Sequence, residues 1–132
     1  MTAQKTKSRI LILAGLTALA LANLFPGQTK TPAEKYKALL GTWDTRRKGT
    51  DFTTVFVFTL EKGVLKGIYD PSMMAAKMTD LTFENNTVQF TVTSALWTLG
   101  VTAVIDGDNL SGQESWDWGE EIHNITGKKR TT

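Results

Sequence analysis

The chain has 132 residues, with 15 Lys or Arg against 13 Asp or Glu, one histidine and no cysteine. Without thiols it can hold no disulfide framework, cysteine nucleophile, thiolate metal centre or lipid-modified N-terminal cysteine. Three basic residues, Lys5, Lys7 and Arg9, precede residue 10, so from residue 23 onward 12 basic side chains face 13 acidic ones. A net −1 gives no basis for nucleic-acid binding.

Those three cations lead into the apolar run ILILAGLTALALANLF, with small residues at Ala18, Ala20 and Ala22. A basic start, an apolar stretch and small residues form the pattern of a secretory signal. Cleavage after Ala22 leaves a mature chain of 110 residues beginning at Asn23. The alternative is an uncleaved anchor: residues 10–25 offer a short apolar stretch against the roughly 20 residues that span a bilayer. Either way the expected location is outside the cytoplasm, periplasmic or extracellular, with membrane association through residues 10–25 if the segment stays. Residues 23–31 read as a linker broken by Pro26 and Gly27.

A helix start follows. Thr31 offers a hydroxyl cap, Pro32 suits the first helical position, and Glu34 stands three residues after the cap. Tyr36, Leu39 and Leu40 form an apolar stripe, and Gly41 ends a helix of about two turns that must dock on something to persist. From Gly41 the period changes to two. Strands are expected over 41–47, 52–60, 64–70, 77–84, 87–94, 97–105, 109–116 and 120–129, separated by turns such as Glu61-Lys62-Gly63, Asn85-Asn86 and Asp106-Gly107-Asp108. Short connections make sequence neighbours spatial neighbours. The expected fold is therefore all-β: an eight-stranded antiparallel up-and-down meander over 32–132, closing into a small barrel behind a short N-terminal helix.

A short helix, then Gly41-x-Trp43 entering the first strand, then a meander ending on Arg130, resembles the lipocalin and wider calycin pattern. The resemblance implies that Trp43 packs across the closed end of the barrel, with Arg130 from the last strand lying over it as a cation–π lid. It also implies a small hydrophobic ligand as partner and no cofactor. In the same closure Arg46, Arg47 and Lys48 are expected opposite Glu120 and Glu121. Gly41-Thr42-Trp43 with Leu65-x-Gly67-x-Tyr69 is similar to the avidin opening too, but Thr45 and Gly49 replace that family's polar biotin contacts.

The alternating phase nominates Trp43, Phe56, Phe58, Tyr69, Val88, Phe90, Val92, Leu99, Val101 and Leu110 among the inward positions; the interior is either filled by them or hollow around a ligand. Tyr69, Phe90, Trp97, Trp116 and Trp118 are the candidate ligand-binding residues, as aromatic bodies with occasional polar tips. Met73 and Met74, in the longest connection, are candidate partner contacts, as adaptable side chains. They support the other reading of the chain, a membrane-anchored accessory subunit docking on a membrane or envelope protein complex. Catalysis finds little to work with: His123 stands alone, and no serine sits in a nucleophile elbow. Asp106 and Asp108 flank a turn glycine and imply no metal. The expectation is a binding protein, not an enzyme.

Overall fold

A computed structural model describes residues 30–70 and 74–131. A short helix, α1 (Pro32–Tyr36), precedes β1 (Gly41–Arg47), β2 (Thr53–Glu61), β3 (Val64–Asp70), β4 (Ala76–Lys77), β5 (Thr79–Glu84), β6 (Thr87–Thr93), β7 (Thr98–Asp106), β8 (Asn109–Trp116) and β9 (Glu121–Lys129). The helix is shorter than its apolar stripe suggested. Beyond Tyr36 the chain tightens into turns that deliver Leu39, fully buried, into the core.

All strand pairs are antiparallel, in the order β4-β3-β2-β1-β9-β8-β7-β6-β5. The two ends of that order, β4 and β5, are separated in sequence only by Met78. Residues 76–77 bond to β3 and residues 79–84 to β6, so one extended segment closes the cylinder by changing partner midway. Nine hydrogen-bonded segments thus stand where eight strands were expected. The break has a local cause. Gly67 accepts the Met78 N–H through its carbonyl at 2.9 Å, and the Met78 sulfur occupies the space a side chain at Gly67 would fill. Asp80 then takes a φ of 52°, and the register with β6 shifts between Thr79 and Thr82. A slot of about 400 Å³, lined by Leu65, Lys66, Met78 and Leu81 among others, lies in the wall there.

The turns follow the sequence chemistry. Lys62-Gly63 and Asn85-Asn86 both hold positive φ at their two central residues, the backbone twist that suits a two-residue hairpin. The first and last long strands meet as expected: Trp43 pairs with Lys129, Thr45 with Gly127 and Arg47 with Ile125. Period-two alternation then fixes the contents. Trp43, Phe56, Phe58, Tyr69, Phe90, Leu99, Val101 and Leu110 are all buried inside. Phe56 stands at the centre of an edge-to-face cluster, 6.4 Å from the Phe58 ring and 5.2 Å from that of Phe90. Side chains of this size contribute roughly 1.5–3 kcal/mol each on burial, the main support of a chain without disulfides.

Helix and indole close one end, the base. Pro32 lies 3.6 Å from where a Cβ on Gly63 would stand, in the β2–β3 turn, and the Trp43 indole N–H donates to the Leu39 carbonyl at 2.8 Å. The cation over Trp43 is not Arg130 but Lys129, whose Nζ lies 5.3 Å from the ring centroid. Lys129 is the direct strand partner of Trp43 and so shares its face, whereas Arg130 is one residue out of phase. It emerges outside and forms two bonds, 2.9 and 2.7 Å, to the carboxylate of Asp44, the outward neighbour of Trp43. The expected pairing of Arg46, Arg47 and Lys48 with Glu120 and Glu121 does not form either. Strand stagger places Arg46 opposite Thr126 and Arg47 opposite Ile125, while Glu121 pairs with Trp116 on β8.

Candidate functional site

At the other end, the mouth, alternation carries polar side chains inward. β1 continues Trp43, Thr45, Arg47; β8 continues Leu110, Gly112, Glu114, Trp116. Thr45 and Thr54 are buried, and their hydroxyls hydrogen-bond to each other across the β1–β2 pair. One step further, the Arg47 Nε donates to Glu114 Oε1 at 2.8 Å, and the Glu114 side chain is only 2% exposed. The Arg47 guanidinium also covers the Phe52 ring at 4.4 Å and the Trp116 ring at 5.9 Å. A buried carboxylate is tolerated only with such a charge-assisted partner.

Around this ion pair three of the five candidate aromatics converge. The Tyr69 ring lies 6.4 Å from Trp97, and Trp97 lies 5.1 Å from Trp116. Tyr69 is fully buried; the two tryptophans are half-buried. Phe90 sits deeper, linked to Tyr69 through Phe56, whose ring centroid is 5.8 Å from that of Tyr69. Trp97 is held by its own connection: Ser94 accepts its N–H at the side-chain oxygen, and the Ser94 N–H returns to the Trp97 carbonyl. Burial, reinforced by the negative charge of Glu114 and partly offset by Arg47, pushes the Tyr69 phenol well above its ordinary range. Tyr69 is therefore a hydroxyl donor at any physiological pH. Its Oη and the Trp116 Nε1 are both buried without a hydrogen-bond partner among the described residues.

Trp118 does not join them. It stands on the β8–β9 turn, 88% exposed, with φ 62° and ψ 34°. Two tryptophans flanking one aspartate part company because the turn reverses between them. Met74 is exposed, and Met73 lies outside the described residues. Gly41 and Trp43 stand at the base, as the resemblance implied. The sequence reading missed the pair of Arg47 and Glu114: it set Arg47 opposite Glu120 and Glu121 and did not single out Glu114. The available signal was phase: each continues an inward series of its strand by two residues.

The deeper interior is packed with aromatic and aliphatic side chains. Grooves of the described domain include one of about 820 Å³ across the outward faces of β1, β2, β8 and β9 and one of about 400 Å³ lined in part by Phe90.

Fold and site together define a small antiparallel up-and-down β-barrel, plugged at its base by helix and indole and lined at its mouth by aromatic and polar side chains. No protein-family model and no curated protein sequence matches the chain. Among solved structures it is similar to fatty-acid-binding protein 1 of Echinococcus granulosus, at 16% identity and a TM-score of 0.48, over 72% of this chain and 99% of that one. It is also similar to a Helicobacter pylori protein of the lipocalin family, at 16% identity and a TM-score of 0.47, over 70% of this chain and 83% of that one.

Proposed function

We propose that this barrel is an exported, non-enzymatic binding protein that takes a small, uncharged, largely apolar molecule carrying an acceptor oxygen at its mouth. The observation that carries the reading is the pair of buried donors, Tyr69 Oη and Trp116 Nε1, that have no hydrogen-bond partner among the described residues and lie in one aromatic cluster. A buried donor without a partner costs about 1–3 kcal/mol, and a carbonyl or ether oxygen between the rings would recover that cost. The adjacent charges argue for a neutral ligand: Arg47 is already compensated by Glu114, so an anion would have to compete with a buried carboxylate. Packing of the deeper interior argues for a short molecule, admitted by movement of the half-buried Trp97 and Trp116 rather than threaded to the base.

The test is a fluorescence titration with 6-propionyl-2-dimethylaminonaphthalene, a neutral aromatic ketone whose emission responds to hydrogen bonding. Binding should shift its emission and quench tryptophan. Tyr69→Phe, which keeps the ring and removes the donor, should weaken affinity about five- to tenfold, the value of one net hydrogen bond. Equal affinity in both proteins, or no binding at all, would remove the reading. Native mass spectrometry of protein purified from its own host checks the same claim and, through the intact mass, whether Asn23 is the mature N-terminus.

A further inference from the structure

We propose that the mouth rim docks on the interface of a zwitterionic lipid bilayer. Three described connections, residues 48–52, 94–97 and 117–120, and the described residues 74–75 ahead of β4 lie at this end of the barrel. Each carries an exposed large apolar residue: Phe52, Met74 at 74% exposure, Leu96 at 91% and Trp118 at 88%, with Ile122 beside the last. The turns at the base end, 62–63, 85–86 and 107–108, are built instead from Lys, Gly, Asn and Asp, and the exposed apolar residues near them, Val64 and Val104, are strand valines and not turn tips. A fold needs no such asymmetry.

Nor is the Trp118 placement a by-product of packing. Asp117, Trp118 and Gly119 all have positive φ, a region that bulky residues rarely enter. The turn is pinned there, with Asp117 Oδ1 accepting the Thr98 N–H at 3.3 Å, so the indole is held outward.

The occupant follows from pattern and charge. The tips stand on different connections around the ring of strands, and points so distributed insert into a fluid surface without requiring a matching shape. Tryptophan and phenylalanine suit the headgroup boundary, where an amphipathic ring has both an apolar and a wet neighbour. At this end Asp51, Asp70, Asp117, Glu120 and Glu121 stand against Lys48 and Lys77, Arg47 being paired with Glu114, a net negative rim that anionic lipid would repel and zwitterionic lipid would not.

The experiment uses the full chain with phosphatidylcholine vesicles carrying brominated acyl chains, which quench nearby indoles. The difference between the native protein and Trp118→Phe isolates the signal of Trp118. A second reporter, Val64→Trp in the Trp118→Phe background, reads the base end. Trp118 should be quenched and the base reporter not; replacing half the lipid by phosphatidylglycerol should reduce the quenching, and Leu96→Ser with Met74→Ser should lower it several-fold. The proposal is overturned if the vesicles leave Trp118 emission unchanged, whether or not the chain binds them, or if both ends are quenched alike; the rim would then belong to a protein partner.

Discussion

Glu114 shows most clearly how a residue can contradict its chemistry while obeying its position. Its type says surface, its phase after Leu110 and Gly112 says interior, and the strand geometry wins because Arg47 arrives from β1 to meet it. This is why the ion pair was not legible from composition, although the alternation that places it was. Removing one member of such a pair leaves the other uncompensated. Glu114→Ala should cost about 3 kcal/mol of stability, near the low end for buried pairs because Arg47 retains some solvent contact. Glu114→Gln, which still accepts from Arg47, should cost less; urea denaturation of both variants checks the order. Tyr69 supplies a pH signature. Its folded pKa is raised, so the unfolded chain loses the phenolic proton first, and stability should fall as pH rises above about 10. Tyr69→Phe should abolish that part of the alkaline loss, measured as melting temperature against pH. Asp44 works with the opposite sign: the Arg130 hydrogen bonds, helped by its charge, hold the carboxyl below its ordinary range. Its contribution is present above about pH 4 and disappears as pH falls through the lowered folded value. The pair is exposed, so Asp44→Asn should lower the melting temperature only slightly at neutral pH, and by progressively less as the pH falls below about 4.

At the scale of elements, two strand glycines separate a rigid contact from a yielding one. A Cβ on Gly112 would strike the Thr102 carbonyl and the backbone of Ala103 and stand 2.8 Å from the Ala103 Cβ, all on the paired strand β7. Backbone held in a ladder cannot step aside. A Cβ on Gly67 would strike chiefly the Met78 sulfur, the far part of a flexible side chain beside an open slot. Gly112→Ala should therefore destabilise by about 3 kcal/mol and Gly67→Ala by about 1 kcal/mol or less, in the range of overpacked sites; thermal unfolding of the two variants makes the comparison. Element boundaries were legible where turn chemistry was local, as at Asn85-Asn86, because both residues tolerate the left-handed region the hairpin demands. The break at Met78 was not. Its segment does change phase in sequence, Ala76 and Met78 standing on even positions and Leu81 and Phe83 on odd ones with Asp80 between, but that shift does not say that the two halves pair with different strands, β3 and β6.

For the whole molecule the decisive contact joins its ends. Strand count and spacing made closure legible, since a meander of this length either wraps on itself or leaves two long edges. Trp43 on β1 pairs with Lys129 on β9, and Arg130 reaches Asp44 across 86 positions of sequence. Such distant pairing makes folding slow, because the loop must close before the contacts reward it. It also makes β9 a shared wall, bonded to β8 along Asn109–Trp116 and to β1 from Trp43 to Arg47. Deleting residues 121–132 would remove both ladders together with Lys129 over the Trp43 ring. It would expose β1 and β8 as long unpaired edges, and unpaired edges recruit other chains. Glu114 and Arg47 would be opened to solvent at the same stroke. The truncated chain should elute as aggregates in size-exclusion chromatography and show no cooperative thermal transition. A monomer melting in one sharp step would mean that β1 to β8 form a self-sufficient sheet, and that closure tunes the mouth without holding the fold.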